Sequence, residues 1–336
     1  MKKLVLPALA LALLAAAAVS LCLGQYRVSC DDIAQFLGWK LFALPLLSEE
    51  RRQLLDNLLL DIRLPRICAA ILIGASLSVS GASFQALFIN PLVSPGLLGV
   101  LAGASFGAAL ALVVADSWLL VQLSTVLFGF LAVATAVGIA RIYRTHSIIM
   151  LILGGIISGA LFTSLLSIVK YCADPTNQLP AITYWLMGNL AAADGRTMAA
   201  ISLPSLVAIV ILVFHGGRLN VMSMGEEEAR TLGIDIARVR FTVIFLATLI
   251  SALTVVVGGM IGWVGLIIPH ICRLLVGPDN RVLLPAAGLV GAIYLLAVDN
   301  VSRLLFTFEI PTGIITSLIG IPFFVLVLKN AHRGWR

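Results

Sequence analysis

Apolar segments of roughly membrane-spanning length recur along almost the whole chain. A helix needs about 20 residues to cross about 30 Å of hydrocarbon, and inside the bilayer it satisfies its own backbone hydrogen bonds. Of the 336 residues, 60% are hydrophobic and 11% are charged, which leaves no room for a soluble domain between the segments. The sequence therefore predicts an all-α, polytopic membrane protein, with helices rather than barrel strands.

The pattern predicts about ten transmembrane helices in a single transmembrane domain that covers residues 1–336. The predicted spans are 4–23, 66–88, 95–114, 118–139, 147–169, 198–214, 240–258, 261–275, 282–299 and 311–328. Residues 261–275 are short for a crossing, and their glycines and proline favour a re-entrant or broken helix. The N-terminus also has the basic start and apolar core of a signal peptide. Its apolar run is longer than usual and lacks a clean cleavage site, so we predict a retained first helix.

Charged residues predict the orientation of the chain. With ten crossings, most of the 22 Lys and Arg fall on the side of the N-terminus, and most of the 16 Asp and Glu fall on the other side. Loops rich in Lys and Arg stay in the cytoplasm, so both termini are predicted to be cytoplasmic. The net charge of +6 follows from this topology and gives no reason to expect a nucleic-acid partner.

The second predicted span carries small residues and then a break. Small side chains allow close helix approach, and they recur at Gly74, Ser78, Gly81 and Ser83. Gln85 and Asn90 place amides near the inner half of the membrane. Pro91 removes a backbone donor and disfavours a helical conformation at Asn90, so the helix is predicted to break there.

Several kinds of chemistry are missing from the sequence. No lysine follows a glycine, so no Walker A loop is present to bind ATP. All 16 Asp and Glu are predicted to fall in loops or at helix ends, whereas ion-coupled carriers place carboxylates inside the membrane. The histidines are too scattered for a metal site, and His270 with Arg273 is interpreted as bracing a short helix. The chain is therefore predicted not to be an enzyme. A secondary transporter and a membrane scaffold or channel stay as alternatives.

The five cysteines have no metal-site spacing. Cys30 and Cys172 both fall on the predicted external side, but spacing alone does not place them within bonding reach.

The longest predicted cytoplasmic loop covers residues 216–239. Ser223 and Glu226 match a capping box, Glu226 to Glu228 lie where a helix dipole favours negative charge, and Gly233 is suited to end a helix. The loop is thus predicted to hold a short amphipathic helix at the membrane surface, which is either a solvated linker or a lever for a partner.

Six sequence stretches together carry a family resemblance. They are RLPR, GASLSVSGASFQALFINPLVSPGLLG, MGEEEARTLGI, GGMIGWVGLIIPHICRLLVGPDNRVLLP, AVDNVSRLLF and EIPTGIITSLIGIPFF. In this order they resemble the permease subunit of type II ABC importers, the family that carries iron-siderophore complexes, haem and vitamin B12. The match covers about residues 60 to 328. It implies a fold like that of the vitamin B12 importer permease, in the bacterial plasma (inner) membrane.

The resemblance also implies the partners. A homodimer of permeases would work with two cytoplasmic ABC ATPase subunits, which bind the ATP and Mg, and with a periplasmic or lipid-anchored substrate-binding protein. This chain would itself bind no cofactor or metal. Ferric siderophore is the expected cargo by family usage, and haem, cobalamin and an oxyanion such as molybdate are alternatives that the sequence does not separate.

By resemblance, three sets of residues receive roles. Those of the ATPase-coupling helix are Glu226, Glu227, Glu228, Arg230, Leu232 and Gly233. Those that meet carboxylates of the binding protein are Arg63, Arg66 and Arg303, since guanidinium groups suit bidentate carboxylate pairing; anchoring to lipid headgroups is the alternative. Those of the cytoplasmic gate and pathway are Gln85, Asn90, Leu92, Ser147 and Ile148.

Overall fold

Every regular element in the described part of the chain is a helix, which confirms the all-α prediction. The computed structural model describes residues 2–42, 44, 47–114, 117–142 and 148–334. The α-helices in chain order are α1 (Lys2–Cys22), α2 (Cys30–Phe42), α3 (Glu49–Asp56), α4 (Leu64–Leu87), α5 (Val100–Val114), α6 (Trp118–Ile142), α7 (Ile148–Cys172), α8 (Gln178–Leu186), α9 (Gly195–Phe214), α10 (Gly216–Met222), α11 (Glu226–Thr231), α12 (Ile236–Gly258), α13 (Val264–Val276), α14 (Asn280–Leu304) and α15 (Thr312–Gly334). A π-helical segment, Asn57–Arg63, joins α3 to α4, and a 3-10 turn, Pro95–Leu98, precedes α5.

The predicted spans coincide with helices of the structure. Among the described residues, seven helical segments are long and apolar enough to cross a membrane, and α5, α13 and α15 are shorter apolar helices in the positions of the other predicted spans. With 13 residues, α13 is about 20 Å long at about 1.5 Å per residue. The segment before it is not helical, and Gly259 and Trp263 have positive φ angles of 61° and 69°. The prediction of a short, irregular element is therefore confirmed.

The helix α4 lies at the centre of the bundle. In the helical segment that contains α4, 83% of an apolar 18-residue stretch is buried, whereas the corresponding fraction in α1 is 6%. It packs against α9, α12, α13 and α14. A Cβ at Gly74 would lie 2.2 Å from the Gly291 carbonyl oxygen, and one at Gly81 would lie 1.9 Å from the Gly265 carbonyl oxygen. The predicted small-residue face thus brings the backbone of α4 against those of α13 and α14.

The predicted break at Asn90 is also present. The helix α4 ends at Leu87, and Ile89 adopts a left-handed φ of 48°, which is uncommon for a β-branched residue. The Asn90 Oδ1 accepts a hydrogen bond from the Leu92 backbone N–H at 2.9 Å, which stabilises the turn. The chain then enters the 3-10 turn and α5.

The segment before α4, which is predicted to be external, is folded, and the sequence analysis did not predict this. Phe36 of α2 and Leu55 of α3 form a small buried hydrophobic cluster with Val28, which precedes α2, and Leu59 of the π-helical segment. At the start of α2 the Ser29 hydroxyl accepts a hydrogen bond from the Asp32 N–H at 3.0 Å, and the Asp32 carboxylate accepts one from the Ser29 N–H at 3.2 Å. This reciprocal cap satisfies two backbone donors at the helix terminus.

Candidate functional site

The loop 216–239 contains two short helices, α10 and α11, which connect α9 to α12. Leu219, Met222 and Ala229 are buried, so one side of this segment packs onto the bundle. The helix α10 packs against α14 and α4, and α11 contacts α10 and α12. The segment is therefore part of the packed structure and not a loose linker.

The N-terminal end of α11 differs from the prediction. Gly225, with φ 129°, takes the N-cap position, whereas Ser223 is the C-terminal cap of α10 with helical φ and ψ. The Ser223 hydroxyl donates instead to the Asn220 carbonyl oxygen at 2.6 Å. The capping-box prediction is wrong because α10 extends to Met222 and holds Ser223 in a helical conformation, whereas an N-cap residue is normally extended.

The C-terminal end of α11 confirms the prediction for Gly233. This glycine has a φ of 79°. Its N–H donates to the Arg230 carbonyl at 2.9 Å, and the Ile234 N–H donates to the Ala229 carbonyl at 3.0 Å. This pair of bonds is a Schellman motif, which favours glycine at the left-handed position.

The outward side of α11 combines charge with apolar surface. Glu227, Glu228 and Arg230 are exposed, and so is Gly233 beyond the helix. Leu232 is 63% exposed. Glu226 is only half-buried, and it accepts a hydrogen bond from Arg240 on α12 at 2.5 Å.

Met224, just before α11, is 66% exposed, and the sequence analysis did not include it in the coupling set. The sequence feature that could have identified Met224 is an apolar residue next to an acidic run, outside any predicted span. Met224 and Leu232 flank the acidic helix. Because this segment is predicted to face the cytoplasm, we call the exposed set Met224, Glu227, Glu228, Arg230 and Leu232 the cytoplasmic patch.

Asn220 on α10 fixes the segment that carries this patch. Its Nδ2 donates to the Asp279 Oδ1 at 2.6 Å, and its Oδ1 accepts from the Asn280 N–H at 2.8 Å. Gly216 lies so near that a Cβ there would be 2.6 Å from the Asn280 carbonyl oxygen. A displacement of α10 would therefore act directly on the first turn of α14, a contact that sequence reasoning missed because it joins positions about 60 residues apart.

The three arginines that are predicted to lie on the external side are buried within the chain. Arg63, Arg66 and Arg303 are only 3%, 5% and 6% exposed. The Arg66 Nε donates to the Asp299 Oδ1 at 2.9 Å, and its Nη1 donates to the Glu309 Oε1 at 2.9 Å. We call these three arginines with Asp299 and Glu309 the external cluster.

The other two arginines bind groups near the end of α1. The Arg303 Nε forms an ion pair with the Asp299 Oδ2 at 3.2 Å, and its Nη2 donates to Asn300 and Ser20. Arg63 donates to the backbone carbonyl oxygens of Leu21 and Tyr26. In the described conformation each of the three guanidinium groups thus donates hydrogen bonds inside the chain. Their docking role stays a prediction, and contact through them requires these bonds to open.

Asp299 corrects the expectation that every acidic residue lies in a loop or at a helix end. It is 0% exposed, five residues before the end of α14. The sequence did not reveal it because its partner Arg66 is 233 positions away. Both carboxylate oxygens contact arginine, so Asp299 joins α4 to α14 and differs from an open carboxylate that takes up a coupling ion.

The predicted gate residues are not all in one environment. Gln85 is 2% exposed. Its Oε1 accepts a hydrogen bond from Arg273 on α13, and its Nε2 lies 3.5 Å from the Gly265 carbonyl oxygen. Gln85 and Arg273 therefore brace α4 against α13.

The remaining gate residues lie at the break after α4 and at the start of α7. Asn90 is half-buried and Leu92 is 47% exposed. Ser147 lies outside the described residues. Ile148 begins α7, but its side chain lies outside the described part. A cleft lined by Ser94, Pro95, Gly262 and Trp263, among others, separates the 3-10 turn from the segment before α13.

Comparisons with known proteins agree with this architecture. The model of the FecCD transport family matches residues 12–330. The molybdate import system permease protein MolB of Haemophilus influenzae is 41% identical over 326 residues, which are 97% of this chain and 95% of that protein. The vitamin B12 import system permease protein BtuC of Vibrio cholerae is 38% identical over 82% of this chain and 84% of its own.

A solved structure gives the same result at the level of the fold. It is an inward-facing conformation of a transporter assigned to the metal-chelate ABC type. It superposes with a TM-score of 0.85 at 40% identity and covers 96% of this chain and 98% of its own. The family resemblance is thereby confirmed, and the chain belongs to the FecCD transport family, a family of multi-pass ABC-importer permeases.

Proposed function

We propose that this chain is the membrane-spanning subunit of an ATP-driven importer in a bacterial inner membrane. Two copies form the passage, two cytoplasmic ATPase subunits bind ATP and Mg, and an external binding protein delivers the cargo. The chain itself is not an enzyme and holds no cofactor. Both termini face the cytoplasm.

The cytoplasmic patch carries this proposal. It presents two exposed apolar side chains beside exposed carboxylates on a segment that is fixed to α14 through Asn220. A protein partner that excludes water from Met224 and Leu232 gains hydrophobic free energy there. The same contact transmits its movement to α14. A membrane scaffold does not require movement to be transmitted from this patch to α14.

Charge reversal at Glu227 tests the contact with the ATPase. Glu227→Lys places a cation in the first turn of α11, and Glu50→Lys does the same in the first turn of α3 at the opposite face. Both variants lose a similar helix-dipole interaction. We expect only Glu227→Lys to reduce co-purification of the ATPase and stimulation of its ATP hydrolysis by the loaded binding protein. If the two variants show equal co-purification and equal stimulation of ATP hydrolysis, the proposed coupling role of Glu227 is wrong.

We also propose that the external cluster opens when the binding protein docks, so that Arg63, Arg66 and Arg303 exchange internal partners for carboxylates of that protein. Charge reversal of Arg63 or Arg303 should abolish capture of the binding protein. Arg196→Glu reverses an exposed arginine at the start of α9, on the same predicted side, and serves as the control. If folded Arg63 and Arg303 variants capture the binding protein as well as the wild-type protein does, the docking proposal is wrong.

For the gate, we propose that Asn90, Leu92, Ser147 and Ile148 surround the cytoplasmic end of the passage, with Gln85 behind them. Asn90→Phe should change leak or uptake while assembly with the ATPase stays intact. Asn177→Phe introduces the same bulk at an exposed site on the other side. Transport unchanged in Asn90→Phe would count against the gate.

For cargo, we propose an oxyanion of the molybdate class. The support is a relative named as a molybdate permease that matches 97% of this chain at 41% identity. Ferric siderophore, the cargo expected from the sequence, is the second candidate, supported by the fold neighbour of metal-chelate type. Proteoliposomes with the ATPase and binding protein should take up labelled molybdate in an ATP-dependent manner and leave labelled ferric siderophore outside. The reverse result would select the chelate.

A further inference from the structure

Two cysteines that have no part in the proposed function lie side by side at the predicted external end of α1. Cys22 is the last residue of α1, and Cys30 is the first residue of α2. Their Sγ atoms are 3.9 Å apart, Cys22 is half-buried, and Cys30 is exposed. A disulfide has an S–S distance of about 2.05 Å, so the two sulfur atoms need to approach by about 2 Å to bond. The loop between them contains no secondary structure that resists such a movement.

The loop between these cysteines covers the external cluster. Arg63 donates to the carbonyl oxygens of Leu21 and Tyr26, and the Arg303 Nη1 donates to that of Leu23 at 3.4 Å. Gln25 reaches across and donates to the Thr307 carbonyl oxygen at 3.1 Å. The loop 22–30 therefore joins the ends of α1, α4 and α14. A covalent link across its base would restrict how far it can lift from the arginines.

We propose that Cys22 and Cys30 form a disulfide on the external face, which closes the loop over the external cluster. The proposal rests on the proposed topology, because an external location exposes the thiols to an oxidising compartment. The oxidant is a protein disulfide of the thiol-oxidase class. The Cys30 thiolate attacks this disulfide and forms a mixed disulfide. The Cys22 thiolate then attacks the Cys30 sulfur and releases the oxidant. Two protons and two electrons leave the pair, and the oxidant's disulfide becomes two thiols.

Differential alkylation of the full chain tests the bond. The protein is purified from the membranes of cells whose external compartment is oxidising. It is treated with N-ethylmaleimide before or after reduction, and the alkylated cysteines are mapped by mass spectrometry. Before reduction, we expect Cys22 and Cys30 to be unmodified and to occur in one linked peptide. After reduction both should be alkylated. Cys172, which is exposed at the end of α7, should react in both samples.

Single variants and a topology measurement separate the outcomes. In Cys22→Ser, Cys30 should become reactive without reduction. A membrane-impermeant maleimide should reach Cys172 in intact spheroplasts. Alkylation of Cys172 only after permeabilisation would overturn the topology and the disulfide together. Alkylation of Cys172 from outside, with Cys22 and Cys30 also reactive before reduction, would overturn the disulfide alone.

The effect on the loop has its own readout. Arg27 in this loop is exposed, so trypsin can cleave after it once the loop opens. Reduction should accelerate this cleavage severalfold in the wild-type protein. The variant with both Cys22→Ser and Cys30→Ser should be cleaved at the faster rate and should not respond to reductant. Equal cleavage rates for wild-type protein with and without reductant would show that the loop is not held by a disulfide.

Discussion

The two ends of the bundle use their charged residues in opposite ways. At the end predicted to be external, Arg66 and Arg303 are almost fully buried and share the carboxylate of Asp299. At the end predicted to be cytoplasmic, Glu227 and Glu228 lie exposed on α11, with no hydrogen bond to another side chain among the described residues. The buried arginines and Asp299 therefore hold helices together, while Glu227 and Glu228 are available to a partner.

This difference has an energetic consequence. A buried ion pair stabilises little relative to apolar packing, but the removal of one partner leaves an uncompensated buried charge. Removal of an exposed carboxylate changes the free energy of unfolding very little. We therefore expect substitutions at the external end to act on the stability of the fold, and substitutions in the cytoplasmic patch to act on association with the ATPase.

The largest effect is expected from Asp299→Asn. The substitution leaves Arg303 buried without its ion-pair partner and leaves Arg66 paired with Glu309 alone. Removal of one partner from a buried pair costs about 3–5 kcal/mol. Thermal or denaturant unfolding in detergent measures the change. Asp61→Asn, at an exposed site on the same side, is the matched control and should be near neutral. Equal stability of the two variants would show that the external cluster does not hold the helices.

A smaller effect is expected from Asn220→Ala. The variant loses the two hydrogen bonds that join α10 to the start of α14, at a cost of about 1–2 kcal/mol. It should also weaken stimulation of the ATPase by the binding protein, since movement of α10 would no longer act on α14. Asn177→Ala removes an amide that makes no capping bond. If both variants keep full stimulation, Asn220 anchors the segment without transmitting movement.

The smallest effect is expected from Asp32→Asn in the external segment. Hydrogen bonds from Arg51 and then Ser29 lower the pKa of the Asp32 carboxyl below its usual value of 3.8. A lowered pKa in the folded state adds stability that is present above the unfolded pKa and is lost as the pH falls through the folded value.

For a pair this close to the surface, that contribution is about 0.2–1 kcal/mol. The wild-type protein should therefore exceed Asp32→Asn in free energy of unfolding at pH 7, and the gap should narrow as the pH falls below about 4. A gap that is independent of pH would assign the effect to packing.

The sequence was sufficient for features that depend on local pattern. The apolar runs located the spans, Pro91 located the break at Asn90, and Gly233 located the end of α11. Each of these depends on the chemistry of a few neighbouring residues. The close contacts of Gly74 and Gly81 followed from the small side chains on one helix face.

The sequence was not sufficient for features that join distant positions. Asp299 looked like a residue near a helix end, and only the fold places it between Arg66 and Arg303. Cys30 lies beside Cys22, whereas spacing alone had left open a pairing with Cys172. The capping error at Ser223 has the same origin, because the length of α10 depends on packing against α14.

The glycine contacts of α4 also limit which helices can slide. At Gly74 and Gly81 the backbone of α4 touches carbonyl groups of α14 and α13 without intervening side chains. A side chain can change rotamer as helices shift, but two backbones in contact have no such freedom. We expect α4, α13 and α14 to travel as one rigid body during transport. Rearrangement would then concentrate at the boundaries of that body, such as the irregular turn between Gly259 and Trp263.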